Sequence, residues 1–447
     1  MFTLQGQSAA FHSFVWRLDL TLGKQSIMNP NSKRTIRGRV LSIAQGTQPD
    51  QSVIRLHMGA EITSLEIPTE SLNTARAGDW LTIENGQPRV ATPNLSPGRT
   101  LAWMERIQDP RRQHAMKIRA QVEAGIRSFF QGRTFLETRT PLLVPCPGME
   151  PHIRPYQLTT GSYLPTSPEF AMKRLLVGGL ERIFQICPAF RNEPTSPHHS
   201  PEFTMLEWYR AWAGYEEIMR DTEELFASLA REILGCTEGE EILNYQGRTI
   251  RVSTPWPRLR VRDLFEKHAA VDLVKSPRVE DLRVHCERLS LGWQTHDTWD
   301  DLYFRIWLNC IEPALPTDQA VFVIRYPASQ AALAVVDQDP DGSRWARRFE
   351  AYAGGLELGN AFEELTDPNE QRKRFVEDME LRAEMYGPSF PKNPLDEEFL
   401  QALEEGMPPS GGIAVGVDRM VMLLANEPEL DKTLWLKSYA GTEEKSE

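Results

Sequence analysis

The chain has 447 residues, 40% hydrophobic, 25% charged and 9% aromatic, which allows two or three domains with sizeable cores. The net charge of −12 is divided into +3 over the first hundred residues and −15 beyond them, which argues against broad electrostatic binding of nucleic acid by the body of the chain. Five scattered cysteines without a CxxC pair offer no zinc site and fit a reducing, cytoplasmic setting, and no run of 18 apolar residues exists to span a membrane.

Residues 1–32 read as a disordered or loosely packed segment; His12, Arg17 and Asp19 interrupt residues 9–20 and make a poor signal peptide. Residues 33–92 contain four short runs rich in Val, Ile, Leu and Thr, at 35–44, 52–58, 62–67 and 80–83. Separated by turn residues, they predict a small OB-like β-barrel. Any RNA contact is read here, with Trp80 as the one stacking aromatic of the segment; a barrel with no nucleic-acid role explains it equally well. Residues 91–100, ATPNLSPGRT, form a linker. Residues 101–447 form one large region of mixed helices and strands. Ile118, Val122, Ile126 and Phe129 recur at helical spacing over 116–131. A strand is expected at 135–137, stopped by Pro141, a helix at 213–235 and a helical insertion at about 260–315.

Residues 182–212, RIFQICPAFRNEPTSPHHSPEFTMLEWYRAW, read as two strands around a loop at 194–201. Alternation puts Phe203, Met205, Glu207 and Tyr209 on one face, and Arg191 and Glu193 on one face of the incoming strand. Such a surface supplies a bidentate cation for phosphate in Arg191. Phe203 and Glu193 offer a purine an apolar plane and a polar edge reader. Glu207 and Tyr209 are acceptors for an amine. A half-buried, salt-bridged hairpin face explains the same pattern.

The string FRNE…HSPEFTMLEWYRA closely resembles motif 2 of the class II aminoacyl-tRNA synthetases of the lysine group. QVEAGIRSFFQGRTFLETRTPLL resembles motif 1 and GGIAVGVDRMVMLL, residues 411–424, motif 3, in the family's order. The resemblance implies an α+β fold, an antiparallel sheet flanked by helices over 101–447, preceded by the small barrel. It implies a homodimer through motif 1, and ATP and Mg²⁺ as cofactors. In motif 3, Gly412 and Gly416 would let ATP lie against the strand, and Arg419 at the start of a helix would reach its terminal phosphate. Asn192, Glu193, His199, Ser200 and Phe203 would join Arg191 around ATP, with Leu358 beside them.

In GLELGNAFEEL, residues 355–365, the resemblance implies that Glu357 and Glu364 hold Mg²⁺ and that Asn360 and Glu364 touch the substrate. Seven residues apart, the two glutamates lie on opposite faces of a straight strand, so a bend near Gly359 and Asn360 is required; Glu363 competes. In YLPTSPEFAMKRLL, residues 163–176, Ser167, Pro168 and Glu169 would contact the amino acid, Glu169 taking an ammonium. A helix start with a first-turn glutamate is the plainer explanation. YPASQAALA, residues 326–334, is similar to strings in the elongation factor P ligases of this family. The family shows alanine at Ala414 in those ligases and glycine in the tRNA synthetases. One methyl at the pocket wall is worth about 1–3 kcal/mol of discrimination.

The expected activity is therefore activation of (R)-β-lysine or lysine as an adenylate, with Arg191 and Arg419 as the catalytic cations, and transfer to a lysine side chain of elongation factor P. The alternative is a lysyl-tRNA synthetase charging tRNA with lysine. A catalytically silent regulatory or RNA-binding protein is disfavoured by retention of Arg191, Glu193, Glu357, Glu364 and Arg419. Ser200 departs from the asparagine usual in the ligases, and Pro197 stands near their usual basic residue. Loss of one hydrogen bond there would cost about 1 kcal/mol of ATP affinity, which His198 and His199 are placed to offset.

Overall fold

Alternating apolar residues shape the first unit. In the computed structural model, which describes residues 35–59, 61–72, 74–95, 102–387 and 393–438, strands β1 (Ile36–Gln45), β2 (Gln51–Met58), β3 (Glu61–Pro68), β4 (Trp80–Glu84) and β5 (Gln87–Thr92) form one antiparallel sheet in the order β3-β2-β1-β4-β5. Ile36, Val40, Ile54, Leu56, Leu65, Ile67, Leu81 and Ile83 bury themselves on one face. The expected barrel is not closed: among the described residues β3 and β5 do not pair. Each edge strand carries a proline, Pro68 and Pro88, which removes a ladder donor. Residues 1–32, expected to be loosely packed, lie outside the described residues.

The chain divides into two units, Met1–Met104 and Glu105–Glu447. After helix α1 (Ala102–Gln108), α2 spans Pro110–Gln131. It starts before the expected residue 116 because the Asp109 side chain caps it and Pro110 suits its first position. Ile118, Val122, Ile126 and Phe129 are all buried, as their spacing requires. Then follow β6 (Leu136–Glu137), α3 (Glu169–Val177), β7 (Arg182–Phe190), β8 (Glu202–Ala211) and α4 (Tyr215–Leu234), which ends on the left-handed Gly235. A ribbon of β9 (Ile242–Tyr245) and β10 (Arg248–Arg251) leads to β11 (Arg258–Arg260). The insertion is helical as expected, with α5 (Val261–Ala269), α6 (Val279–Arg288) and α7 (Trp299–Ile306) around stacked Phe265 and Tyr303 rings 4.9 Å apart. The rest is β12 (Val321–Pro327), β13 (Val336–Gln338), β14 (Arg344–Ala353), β15 (Leu356–Glu363), α8 (Pro368–Tyr386), α9 (Glu397–Gly406), β16 (Ser410–Gly416) and α10 (Val417–Ala425).

The large sheet runs β11-β12-β14-β15-β16-β8-β7-β6, with β13 beside β14; among the described residues only its β11–β12 and β6–β7 pairs are parallel. One face packs Phe184, Leu206, Trp208, Phe349, Ala361, Ile413 and Val415 against α2, α4 and α10. Period-two alternation sends the intervening residues of the same strands to the other face, where the candidate site lies.

Candidate active site

Strand β16 runs along the floor of this face. Gly412 pairs with Tyr209 on β8 and Phe362 on β15; Ala414 pairs with Glu207 and Asn360; Gly416 pairs with Met205. From Gly412 to Gly416 the strand advances about 13 Å. One end gathers groups that suit amines, and the other gathers groups that suit phosphates.

At the Gly412 end, Glu207 is fully buried and accepts from Ser167 Oγ at 2.6 Å and Tyr209 OH at 2.9 Å. Burial, then the nearby Glu169, pushes its carboxyl up to about 8. Lys173, also fully buried, sits one helical turn beyond Glu169 on α3, with Nζ 2.6 Å from Glu169 Oε1 and 2.5 Å from Glu364 Oε2. Burial lowers the ammonium's affinity for its proton, but the two carboxylates outweigh it and the net shift is upward. Glu364 is pushed up to about 8 by burial, with Glu169 adding to the rise and Lys173 opposing it. A Cβ at Gly412 would collide with the Tyr209 ring and with Glu364 Oε1, so this glycine makes room for the amine end of the site.

At the Gly416 end, Arg419 in the first turn of α10 donates to the Glu357 carbonyl at 2.6 Å and to His199 Nε2 at 3.2 Å. His199 Nδ1 lies 2.8 Å from Ser196 Oγ. Burial and then Arg419 lower the His199 pKa, which suits a neutral ring accepting at Nε2. The Pro197 carbonyl accepts from Leu430 N–H at 2.9 Å, tying the loop to the chain after α10. The Arg191 guanidinium lies over the Phe203 ring, 5.3 Å from its centre, and its Nε is buried with no hydrogen-bond partner among the described residues.

Between the ends, β14 and β15 form a hairpin on Gly354 and Gly355, both with positive φ. Tyr352 pairs with Glu357, whereas Ala351 pairs with Gly359 and Glu350 with Asn360, so Leu358 is an extra residue, a β-bulge. The required bend therefore falls at Leu358, one residue before the position expected. It turns Glu357 to the face that carries Glu350, Asn360 and Glu364. Glu350 is held by Arg348 Nη2 at 2.6 Å and Tyr352 OH at 2.7 Å. Burial, then Glu350, raises the Glu357 carboxyl above the usual range, while Arg419 opposes the rise.

Several expectations change. Glu357 and Glu364 share a face but stand roughly 20 Å apart along the strand, too far to share one ion; Glu364 belongs with Lys173 at the amine end. The acidic pair brought together is Glu350 with Glu357, also seven residues apart. Glu363 points away and pairs with Arg347. Glu169 is engaged by Lys173 through Oε1, and its second carboxylate oxygen keeps acceptor capacity for a further donor. Leu358 is buried in the core against the helices, so only its main chain faces the cleft side. Arg191 and Glu193 lie past the end of β7, in the loop, where strand alternation does not apply. Asn192 there donates its N–H to the Arg154 carbonyl at 2.7 Å; Ser200 closes the loop beside the buried Pro201. Pro168 is buried at the start of α3.

Reading the sequence missed Lys173, Arg348 and Glu350. Lys173 was legible at four residues from Glu169 on a helix. The signal for Glu350 is the Gly354–Gly355 pair, a hairpin turn that sets β14 opposite β15 and Glu350 near Glu357.

The family described as "tRNA synthetases class II (D, K and N)" matches residues 100–436. The chain is similar to the lysine–tRNA ligase of Moorella thermoacetica, 38% identical over 347 residues covering 76% of this chain and 68% of that one. It is similar to the lysine–tRNA ligase of Dehalococcoides mccartyi, 36% identical over 349 residues, 77% of this chain and 68% of the relative. It is similar also to the elongation factor P–(R)-beta-lysine ligase of Pectobacterium carotovorum, 37% identical over 327 residues, 71% of this chain and 92% of the relative. A sheet with motifs 1, 2 and 3 on adjoining elements and a profile match over three quarters of the length lead to one conclusion: the chain belongs to the class II tRNA synthetase family of the D, K and N group.

Proposed function

We propose that the protein activates (R)-β-lysine, or lysine, with ATP and transfers it to a lysine side chain of elongation factor P. The observation that carries this reading is the order of groups along β16: amine acceptors at Glu207 and Tyr209, a methyl floor at Ala414, and cations at Arg191 and Arg419. A diamino acid lies along such a floor with its carboxylate toward the phosphates.

A carboxylate oxygen of the amino acid attacks the α-phosphorus, and the bond to the bridging oxygen of pyrophosphate breaks. Arg191, whose Nε has no hydrogen-bond partner among the described residues, brings the two anions together, and Arg419 offsets charge on the leaving group. Phe203 offers its ring to the purine. Glu350 and Glu357, hard oxygen donors on adjacent strands, fit Mg²⁺, which would offset charge on pyrophosphate. In the second step the acceptor's amine nitrogen attacks the acyl carbon, the bond to AMP breaks and the amine loses a proton. Ala414, opposite both Glu207 and Asn360, lies beneath the part of the substrate where α- and β-amines differ. That placement favours the β-amino acid.

Exposed Leu136, Leu142 and Leu143 within motif 1 support a homodimer. Among the described residues no helix is long and apolar enough to cross a membrane, and a cytoplasmic enzyme is part of this reading. A second reading, lysine–tRNA ligase, is favoured by the first unit: Arg39 is flanked by His57 and the half-exposed Trp80, and Arg37 by Thr82, which pairs onward with Arg89. That basic, aromatic face suits RNA. Labelled lysine or (R)-β-lysine, supplied with ATP and either elongation factor P or total tRNA, tests the choice. Label on elongation factor P is expected; label on tRNA alone overturns the first reading.

A further inference from the structure

The residues 326–334, YPASQAALA, have no role in the chemistry above. Their loop is nevertheless wired to the site. Arg348 Nη1 donates to the Gln330 carbonyl at 2.7 Å, and Gln330 Nε2 donates to Asp300 at the start of α7 at 2.7 Å. The same guanidinium donates through Nη2 to Glu350 and through Nε to Asn360 Oδ1 at 3.0 Å. Its plane lies over Tyr326, 4.5 Å from the ring centre. One arginine thus touches the insertion-side loop, the acidic pair and the substrate floor.

An arginine has donors and no acceptor. Whatever faces its Nε must be an oxygen, so Asn360 has its carbonyl turned to Arg348 and its NH₂ left for the cleft. Asn360 sits directly across Ala414 from Glu207. Glu207 accepts hydrogen bonds; Asn360 donates them. The two strand-neighbours of Ala414 therefore read opposite ends of a zwitterion.

We propose that Arg348 is a positioning residue that sets the polarity of Asn360, so that the pocket selects a free carboxylate over its neutral derivatives. The proposal rests on the amino-acid-activating reading. Lysine cannot replace this arginine, because a single ammonium cannot reach Gln330, Glu350 and Asn360 in three directions at once.

The test is calorimetric binding, without ATP, of lysine, (R)-β-lysine and their carboxamides to the full chain. The wild type should prefer acid over amide by about 30-fold or more, and R348K should bring that preference within about 3-fold. Amide affinity should stay near wild type, which a general loss of structure would not allow. N360A should match R348K, and the double variant should lose no more than either alone. If R348K is too unstable to titrate, N360D serves: a carboxylate there should repel the substrate's own and make the amide the better ligand. An unchanged preference in R348K or N360D, or loss of amide and acid binding in proportion, overturns the proposal. Wild-type ATP–pyrophosphate exchange tests the underlying reading separately. Exchange that persists while R348K keeps its preference defeats the positioning role alone.

Discussion

Glu350 and Glu357 stand on adjacent strands of one hairpin, and the bulge at Leu358 turns both carboxylates to the same face. The extra residue changes which glutamate pair can serve the phosphates. E350Q and E357Q should each raise the Mg²⁺ concentration needed for half-maximal ATP–pyrophosphate exchange by about tenfold or more. E364Q should leave the Mg²⁺ requirement alone and raise the KM for the amino acid. A Mg²⁺ titration of the three variants decides; an altered requirement in E364Q would restore the pairing of Glu357 with Glu364.

Glu207, pushed up to about 8, is largely neutral at neutral pH in the empty pocket. An ammonium ligand favours the ionised form, so its binding releases a proton below that pKa. Amino-acid affinity should therefore rise with pH toward 8 and level off above it, and E207Q should flatten the profile while weakening binding. Stability has the opposite sign. A carboxyl raised in the fold binds its proton more tightly there than in the unfolded chain. Its contribution falls as pH climbs from the ordinary carboxylate range to about 8. E207Q should thus melt a few degrees higher than wild type at pH 8. Melting curves and KM values across pH 6–9 check both.

The orphan Nε of Arg191 marks it as a residue held ready for an anion. R191A should lower kcat for pyrophosphate exchange by about 10²–10³-fold with little change in Tm, since no internal hydrogen bond of Nε is broken. A large drop in Tm would instead make Arg191 part of the scaffold.

Ala414 lies between Glu207 and Asn360. A414G should shift the ratio of kcat/KM for lysine over (R)-β-lysine upward by about tenfold. Competition of the two amino acids in one exchange reaction measures it directly.

Asp418, next to Arg419 in sequence, faces away from the cleft. It is buried against Arg119 of α2 and accepts from the Thr204 N–H at 2.7 Å. It thereby joins α2 to motifs 2 and 3. D418A should cost about 3–5 kcal/mol of stability, because it removes the buried carboxylate facing Arg119 and leaves that guanidinium the more exposed Glu123 as its ion-pair partner. Denaturant titration reads this loss.

The sequence alone determined four strands of the first unit, the motif-bearing hairpin, the helices α2 and α4, and the face on which Glu207 and Tyr209 stand. Each of these follows from short-range periodicity: two residues per repeat in a strand, 3.6 in a helix. The tertiary structure decided what periodicity cannot reach. A single bulged residue, Leu358, resets alternation for everything upstream of it on β15, and no composition rule places it. Lys173 claimed Glu169 and Glu364 because three elements meet where its ammonium is buried. Arg348 met Gln330 and Asn360 only when β14 lay between their segments. The identities of the charged groups were local information; their partners were set by register and packing, where a buried charge must find its complement.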